Sequence, residues 1–156
     1  MILYLVQHGK ALPKDVDPER GLSEDGKAET ERMAARAEVL RLSVSGIAHS
    51  GKRRARETAD IFANHLTPGA LPFVLEGLDP NDAPAAFAER IGEEDGLMIV
   101  GHLPFLERLT AYLTSGDLSL RPVRFTNSGI VRLEAVPGEN GRPIWSVTWA
   151  LTPEIV

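Results

Sequence analysis

Short apolar runs alternate along this chain with segments in which apolar residues recur every three or four positions. The runs have the length of buried β-strands, and the segments between them have the spacing of amphipathic helices. The strand-like runs cover residues 2–8, 46–50, 71–75 and 96–101. Strands that alternate with helices in this way predict an α/β fold with a largely parallel sheet.

Four helices are predicted between and after these strands. Ser23 suits the N-cap of the first helix, Pro68 and Gly69 suit the end of the second, and Pro104 suits the first turn of the fourth. The apolar stripes are Met33, Ala37 and Leu40; Ala55, Ala59, Phe62, Ala63 and Leu66; Phe87 and Ile91; and Phe105, Leu109, Tyr112 and Leu113. We expect these stripes to form the core rather than to contact a cofactor.

Two alternating segments, residues 129–136 and 144–151, close the chain, and a glycine-rich loop joins them. They predict an antiparallel hairpin at a sheet edge. Trp145 and Trp149 lie four positions apart, so regular alternation would place both on one sheet face. The predicted fold is a three-layer sandwich: a mostly parallel central sheet with a C-terminal antiparallel edge, and helices on both faces.

Composition limits the functions open to the chain. Its 156 residues, 43% of them hydrophobic, predict one domain over residues 1–156 with an adequate core. No run approaches the ~20 apolar residues of a membrane helix, and we expect no signal peptide. The absence of cysteine excludes disulfides and thiolate catalysis and suits a cytoplasmic protein. The net charge of −5 argues against nonspecific binding of nucleic acid.

Two histidines stand in matched settings, 94 positions apart. His8 follows an apolar run and precedes Gly9, and His102 follows Gly101 at the end of a second apolar run. A lone histidine at a strand end is more often structural than functional, but two at one sheet edge would form a facing pair. Histidine can act there as nucleophile, base or acid because its proton equilibrium lies near physiological pH.

A basic cluster marks the start of the second helix. After the run that ends at Ser50, Gly51 is followed by the cations Lys52, Arg53, Arg54 and Arg56. Cations are unfavourable at a helix N-terminus, which already carries partial positive charge. The cluster therefore indicates that an anion binds there, and phosphate is the anion that helix N-termini and arginine side chains both bind.

These segments together resemble a known family. Val6-Gln7-His8-Gly9, Ser50-x3-Arg54 and Gly101-His102-x-Pro104 are similar to the signatures of the histidine phosphatase superfamily (phosphoglycerate mutase-like), in particular its SixA-type phosphohistidine phosphatases. The resemblance implies that His8 is the nucleophile and becomes phosphorylated, and that Arg54 and His102 are catalytic and hold the phosphoryl group. Gln7 and Gly9 would complete the phosphate-binding loop, and the reaction would need neither a metal nor a cofactor.

The chain departs from the family pattern at one chemically important position. Gln7 stands where the family has an arginine, so a neutral amide replaces a charged planar group. Lys10 could restore the charge, or could simply be solvated at the pocket mouth. Gly51 replaces a usual proline, which predicts a less rigid loop before Arg54. We expect a weakened catalyst rather than an inactive one.

The general acid and the substrate are less clearly marked. Glu76 is the first candidate for the acid, with Asp79 and Asp82 beside it, although ordinary turn chemistry also explains these residues. The segment over residues 71–84 leaves no room for a lid, so a protein carrying phosphohistidine is the favoured substrate. A small phosphomonoester is an alternative, and a non-catalytic phosphate- or phosphoprotein-binding module is a second alternative because of Gln7.

Overall fold

The computed structural model describes residues 1–67, 69–92 and 94–156 and contains six strands and four α-helices. The predicted order of elements is confirmed. The strands are β1 (Ile2–Gln7), β2 (Gly46–His49), β3 (Phe73–Val74), β4 (Leu97–Gly101), β5 (Ile130–Pro137) and β6 (Pro143–Leu151). The helices are α1 (Glu24–Val39), α2 (Arg53–Leu66), α3 (Pro84–Ala88) and α4 (Phe105–Ser115), and a short 3-10 turn follows at Pro153–Ile155.

The six strands form one sheet in the order β3-β2-β4-β1-β5-β6. The first four of these are parallel, and β5 and β6 add the predicted antiparallel edge. Helices α1 and α2 pack on one face around Met33 and Phe62, while α3 and α4 pack on the other around Phe87 and Phe105. The three-layer sandwich is therefore confirmed.

Several local predictions can be compared with the structure. Ser23 is the N-cap of α1, and its hydroxyl accepts a hydrogen bond from the Gly26 amide at 3.0 Å. Pro104 directly precedes α4 rather than lying in its first turn. Pro68, predicted at the end of α2, lies outside the described residues. The strand predicted over residues 71–75 shortens to the exposed pair Phe73–Val74, because this edge strand has only β2 as a partner.

The prediction that Trp145 and Trp149 share one sheet face is wrong. The pairing of β5 with β6 shifts between Arg132 and Leu133, which pair with Trp149 and Val147 respectively. An extra residue in one strand of a pair reverses the alternation of side chains beyond it. Trp145 therefore packs in the core under α3 and α4, whereas Trp149 packs on the other face beside Tyr4.

The sheet topology brings the two predicted histidines together. β1 and β4 are parallel neighbours, and Gln7 lies opposite Gly101. His8 and His102, the next residues on each strand, therefore leave the sheet at the same edge. On the other side of β4 lies β2, whose His49 is level with Val100, so α2 begins beside the same point. Within the described ranges, no helix combines the length and the apolar character that crossing a bilayer requires.

Candidate active site

His8 and His102 face each other at the carboxyl ends of β1 and β4. Their ring centroids are 5.0 Å apart, and the rings are inclined by 52°. The His8 backbone amide donates to the Gly101 carbonyl at 3.1 Å, which fixes one histidine to the strand that carries the other. The predicted facing pair thus forms at the sheet edge where ligands bind in parallel α/β folds.

The hydrogen bonds of His8 define which ring nitrogen can act as a nucleophile. Nδ1 lies 2.7 Å from the Gly9 carbonyl oxygen. Because a carbonyl can only accept, Nδ1 carries the proton, and in the neutral ring Nε2 keeps its lone pair. Arg54 Nε donates to that Nε2 at 3.2 Å. The lone pair of Nε2 therefore points to the place where a cationic side chain would hold an anion.

The surroundings of His8 keep its imidazole neutral. Burial and, to a smaller extent, the charges of Arg54 and Arg20 lower the pKa of His8 to about 4, although the hydrogen bond to Gly9 opposes them in part. Burial also lowers the pKa of Arg54, and repulsion from Arg20 adds to this effect. The site therefore concentrates positive charge around an uncharged nucleophile, an arrangement that favours a bound anion.

His102 is almost completely buried, with 1% of its surface exposed. Its Nε2 lies 2.6 Å from the Ser50 hydroxyl, while its buried Nδ1 has no partner within the described residues. Burial, with the neighbouring His8 and Arg54 and then Lys52, lowers the pKa of His102 to about 3. His102 is therefore also neutral near pH 7, and Ser50, which the sequence marked only as part of a signature, fixes its orientation.

Backbone groups and small side chains hold the His8 turn in place. The Gly9 amide donates to Thr58 Oγ1 at 2.9 Å, and the Thr58 hydroxyl donates to the Arg54 carbonyl at 2.8 Å. Asn127 Nδ2 donates to the His8 carbonyl at 2.8 Å. A side chain at Gly9 has no space, since its Cβ would lie 2.6 Å from Thr30 Oγ1. Thr58 thus links the turn that carries His8 to the helix that carries Arg54.

Gln7 lies beside His8 and lines a groove of about 340 Å³ together with Thr126 and Asn127. Its Oε1 atom is buried and has no hydrogen-bond partner within the described residues. A buried polar atom without a partner is costly unless a ligand or water satisfies it. This oxygen can therefore accept a hydrogen bond from a ligand or a water molecule.

Lys10 lines the same groove but is already paired. Its Nζ lies 2.9 Å from Glu29 Oε2, and this contact raises the pKa of Lys10. The charges that lower the pKa of His8 are those of Arg54 and Arg20. In this structure, the charge of Lys10 is balanced at the groove rim and does not replace the arginine missing at position 7.

Of the three candidates for the general acid, Asp79 is the one whose charge acts on a residue of the site. Asp79 Oδ1 lies 3.6 Å from Lys52 Nζ, and its charge counteracts the lowering of the pKa of Arg54. Glu76 is exposed, and its backbone carbonyl accepts a hydrogen bond from Arg90. The Asp82 carboxylate accepts from the Asp79 amide at 2.8 Å, as a turn residue does.

Gly51 adopts a conformation that proline cannot. Its φ angle is +88°, and its amide donates to His49 Nδ1 at 3.1 Å. Proline has φ near −65° and no amide hydrogen. Glycine in place of the family's proline therefore allows a specific turn before Arg54.

The basic cluster separates into different roles. Arg54 reaches His8, whereas Arg53 forms ion pairs with Asp17, Glu19 and Glu57.

Sequence reasoning missed Arg20, whose charge acts on both His8 and Arg54. The signal available in the sequence was its position in the loop just before Ser23, the predicted N-cap of the first helix. Among the described residues, no three His, Asp or Glu side chains are grouped to hold a metal ion.

Known proteins share this architecture. No protein-family model matches the chain. An uncharacterized protein of Picosynechococcus sp. is 32% identical over 149 residues, which cover 86% of this chain and 90% of the relative. A structure from Agrobacterium tumefaciens, assigned as a SixA phosphohistidine phosphatase, is 27% identical and covers 97% of each chain, with a TM-score of 0.74. The chain belongs to the histidine phosphatase superfamily.

A second solved structure has the same fold as this superfamily member over nearly the full length of both chains. The protein histidine phosphatase SixA, complexed with tungstate, has a TM-score of 0.81 and 24% identity over 99% of each chain. Tungstate is a tetrahedral oxyanion like phosphate. Within the superfamily pattern, the departure at Gln7 is the feature that bears most directly on the chemistry.

Proposed function

We propose that this protein is a phosphatase that works through a phosphohistidine on His8 and acts on phosphohistidine in a protein. The observation that carries the proposal is the state of His8. Its Nδ1 proton is held by the Gly9 carbonyl at 2.7 Å, which leaves the Nε2 lone pair directed toward Arg54. A neutral imidazole fixed in this tautomer is ready for in-line attack on phosphorus.

In the first step, His8 Nε2 attacks the phosphorus and forms a P–N bond. The bond from phosphorus to the leaving nitrogen breaks, and its electron pair departs with the leaving imidazole. In the second step, water attacks the same phosphorus and loses a proton, and the bond to His8 Nε2 breaks. The products are inorganic phosphate, the dephosphorylated substrate and His8 in its original state.

Arg54 would bind the equatorial oxygens of the phosphoryl group, where charge accumulates in the transition state. His102, held by Ser50, would donate a hydrogen bond from a nitrogen to the same oxygens. Gly9 lets the turn close behind His8, and the Gln7 amide would donate to one oxygen without adding charge. All catalytic groups come from the chain itself, so the proposed reaction uses neither a metal nor a cofactor.

The proposed substrate follows from the openness of the site and the chemistry of the leaving group. Among the described residues between α2 and β4, the chain has only Phe73–Val74, a turn and the five-residue α3, and we propose a single domain without a lid over the site. Such a site can accept a phosphohistidine presented on a protein surface. An imidazole also departs more readily than an alcohol, which reduces the need for an acid at Glu76 or Asp79. We place the reaction in the cytoplasm, where such a phosphoprotein would be the partner.

Gln7 favours one competing proposal, that the chain binds a phosphorylated protein without hydrolysing it.

A direct test compares turnover of a phosphohistidine peptide with turnover of an aryl phosphate, for the native chain and for His8→Ala. Hydrolysis of the peptide that His8→Ala abolishes supports the proposal. Hydrolysis of the aryl phosphate alone points to a phosphomonoester phosphatase. Binding of the peptide without hydrolysis, by the native chain and by Gln7→Arg, would establish the binding module instead.

A further inference from the structure

The peptide group between Gln7 and His8 is held at both of its ends. Its carbonyl accepts a hydrogen bond from the Ser128 amide at 2.9 Å, and its amide donates to the Gly101 carbonyl at 3.1 Å. Gly101 ends β4, whereas Ser128 lies just before β5. Two segments far apart in the sequence thus fix the plane of this peptide.

The next peptide group, between His8 and Gly9, is held in the same way. Its carbonyl accepts from Asn127 Nδ2 at 2.8 Å, and its amide donates to Thr58 Oγ1 at 2.9 Å. The Gly9 carbonyl follows this peptide and lies 2.7 Å from Nδ1 of His8. Because glycine has more backbone freedom than any other residue, the direction of that carbonyl depends on how firmly the preceding peptide is held. The bond from Asn127 therefore bears on the tautomer of the ring.

Asn127 and Ser128 belong to one tight turn. The Gly129 amide donates to the Thr126 carbonyl at 3.0 Å, which closes a β-turn with Asn127 and Ser128 at its central positions. The φ angle of Ser128 is 61°, and a turn with a positive φ at this position usually carries glycine. A non-glycine residue in this conformation costs free energy and persists where the surrounding contacts enforce it.

The hydroxyl of Ser128 anchors the turn to α1. It lies 2.7 Å from Thr30 Oγ1, and the Thr30 hydroxyl donates to the Gly26 carbonyl at 2.7 Å. Since a threonine hydroxyl has only one proton, Ser128 is the donor to Thr30. Both side chains are fully buried, and a Cβ atom at Gly9 would lie 3.1 Å from Ser128 Oγ. The anchor is therefore packed directly against the turn that follows His8.

We propose that Asn127 is a positioning residue for the nucleophile. Its amide group fixes the peptide that follows His8, and the strained turn at Ser128 holds Asn127 in place. This inference rests on the proposed function, because it takes His8 as the nucleophile. Asn127 acts through the His8 carbonyl rather than through a bond to the phosphoryl group. Its loss should therefore slow the chemical step more than it weakens the binding of an oxyanion, which Arg54 would hold.

The test removes the amide of Asn127 and leaves Ser128 unchanged. Within the described ranges, Asn127 is not among the non-glycine residues with a positive φ angle, so alanine suits its backbone. Should Asn127→Ala fail to fold, Asn127→Ser is the second variant, because serine is common in turns and its side chain is too short to make the same bond. The matched control is Asn140→Ala, since Asn140 is an exposed asparagine in the turn between β5 and β6. Thermal melting establishes that each variant folds.

Two measurements distinguish a positioning role from a contact with the substrate. In the ligand-free protein, NMR of labelled imidazoles should find His8 protonated on Nδ1 alone in the native chain and in Asn140→Ala, but a mixture of both tautomers in Asn127→Ala. With an aryl phosphate as substrate, kcat should fall on the order of 10- to 100-fold in Asn127→Ala, as expected for a misplaced reacting group. The Kd for tungstate, measured by calorimetry, should change by less than about threefold, because the oxyanion contacts remain.

Both changes are required in a native chain that turns over substrate. If either the tautomer or the kcat of Asn127→Ala matches that of Asn140→Ala, this inference is wrong and the proposed function stands. A loss of tungstate affinity as large as the loss of kcat would make Asn127 a ligand contact and would equally overturn the positioning role. If the native chain hydrolyses neither the aryl phosphate nor a phosphohistidine peptide, the proposed function itself fails, and the tautomer alone then decides whether Asn127 fixes the His8 turn.

Discussion

The Gly9 carbonyl accepts a hydrogen bond from Nδ1 of His8 at 2.7 Å, although the two residues are adjacent in the chain. This local contact selects the tautomer in which Nε2 carries the lone pair. The Gly9 amide is itself fixed by Thr58 at 2.9 Å, so the position of the carbonyl depends on α2. One turn of backbone thus sets both the orientation and the protonation pattern of the proposed nucleophile.

We predict that His8 becomes phosphorylated during turnover. His8→Ala removes the attacking nitrogen and should reduce activity by at least about 10³-fold, as expected for the loss of a covalent nucleophile. Mass spectrometry of quenched samples, handled without acid, should locate phosphate on residue 8. His65→Gln serves as a control for the loss of a histidine far from the site. Near-normal turnover by His8→Ala would refute the assignment.

The protein should shift the pKa values of its histidines in opposite directions. The pKa of His8 is lowered to about 4 and that of His102 to about 3, whereas the pKa of His65 is raised by Glu38 and Glu31. An NMR titration of labelled imidazoles should find His8 in the Nδ1-protonated tautomer and neutral down to about pH 4. If His8 or His102 titrates near 6.5, then the site is more solvated than the structure shows.

The lowered pKa of His8 should make the stability of the protein depend on pH. The unfolded chain takes up a proton on His8 below pH 6.5, but the folded protein does not until about pH 4. Between these values the unfolded state binds more protons, so the free energy of unfolding should fall as the pH falls. Urea denaturation of the native chain and of His8→Asn should show a shallower decline in the variant across this window. Equal declines would contradict the prediction.

Gln7→Arg should raise activity. A charge-assisted hydrogen bond is worth about 1.5–3 kcal/mol, which corresponds to roughly 10- to 150-fold in rate. Since the charges of Arg54 and Arg20 already act on His8, we expect a gain near the lower end of this range. Gln7→Glu is the control of similar size and opposite effect, because its carboxylate repels the phosphoryl group. A rate for Gln7→Arg at or below the native rate would show that the charge is already complete.

The sequence predicted the parts of this fold that depend on repeating patterns. The period of apolar residues located the strands and helices, and the shared edge of parallel strands predicted that His8 and His102 would meet. The faces of Trp145 and Trp149 could not be predicted, because the bulge opposite Arg132 and Leu133 interrupts the alternation without a marker such as glycine or proline. A one-residue shift in pairing is decided by packing on both faces rather than by local pattern.

The candidate site shows a similar division. Motifs marked His8, Arg54 and His102, which the structure brings together. Arg20 was missed because its relation to the site arises from a loop closed by long-range hydrogen bonds, which has no periodic signature. Lys10 was a reasonable source of charge in the sequence, but its pairing with Glu29 on α1 depends on the tertiary structure.

A pH-dependent contact joins α1 and α2 away from the site. His65 Nδ1 lies 2.7 Å from Glu38 Oε2, and its Nε2 lies 2.9 Å from Glu31 Oε2. Carboxylates only accept hydrogen bonds, so both contacts are complete only when the imidazole is protonated. Hydrogen bonding to Glu38 and then to Glu31 raises the pKa of His65. The stabilisation is therefore fully present below pH 6.5 and is lost as the pH rises through the raised pKa.

His65→Gln should lower the free energy of unfolding by about 0.5–1 kcal/mol at pH 6, the range of a partly exposed ion pair, and by much less at pH 9. Urea denaturation at the two pH values measures this difference directly. Lys27→Gln is the control, because it removes an exposed ion pair with Glu24 on α1 that contains no histidine. An equal loss for His65→Gln at both pH values would mean that the ring stabilises the helix pair by packing, and the protonated contact would then have no part in it.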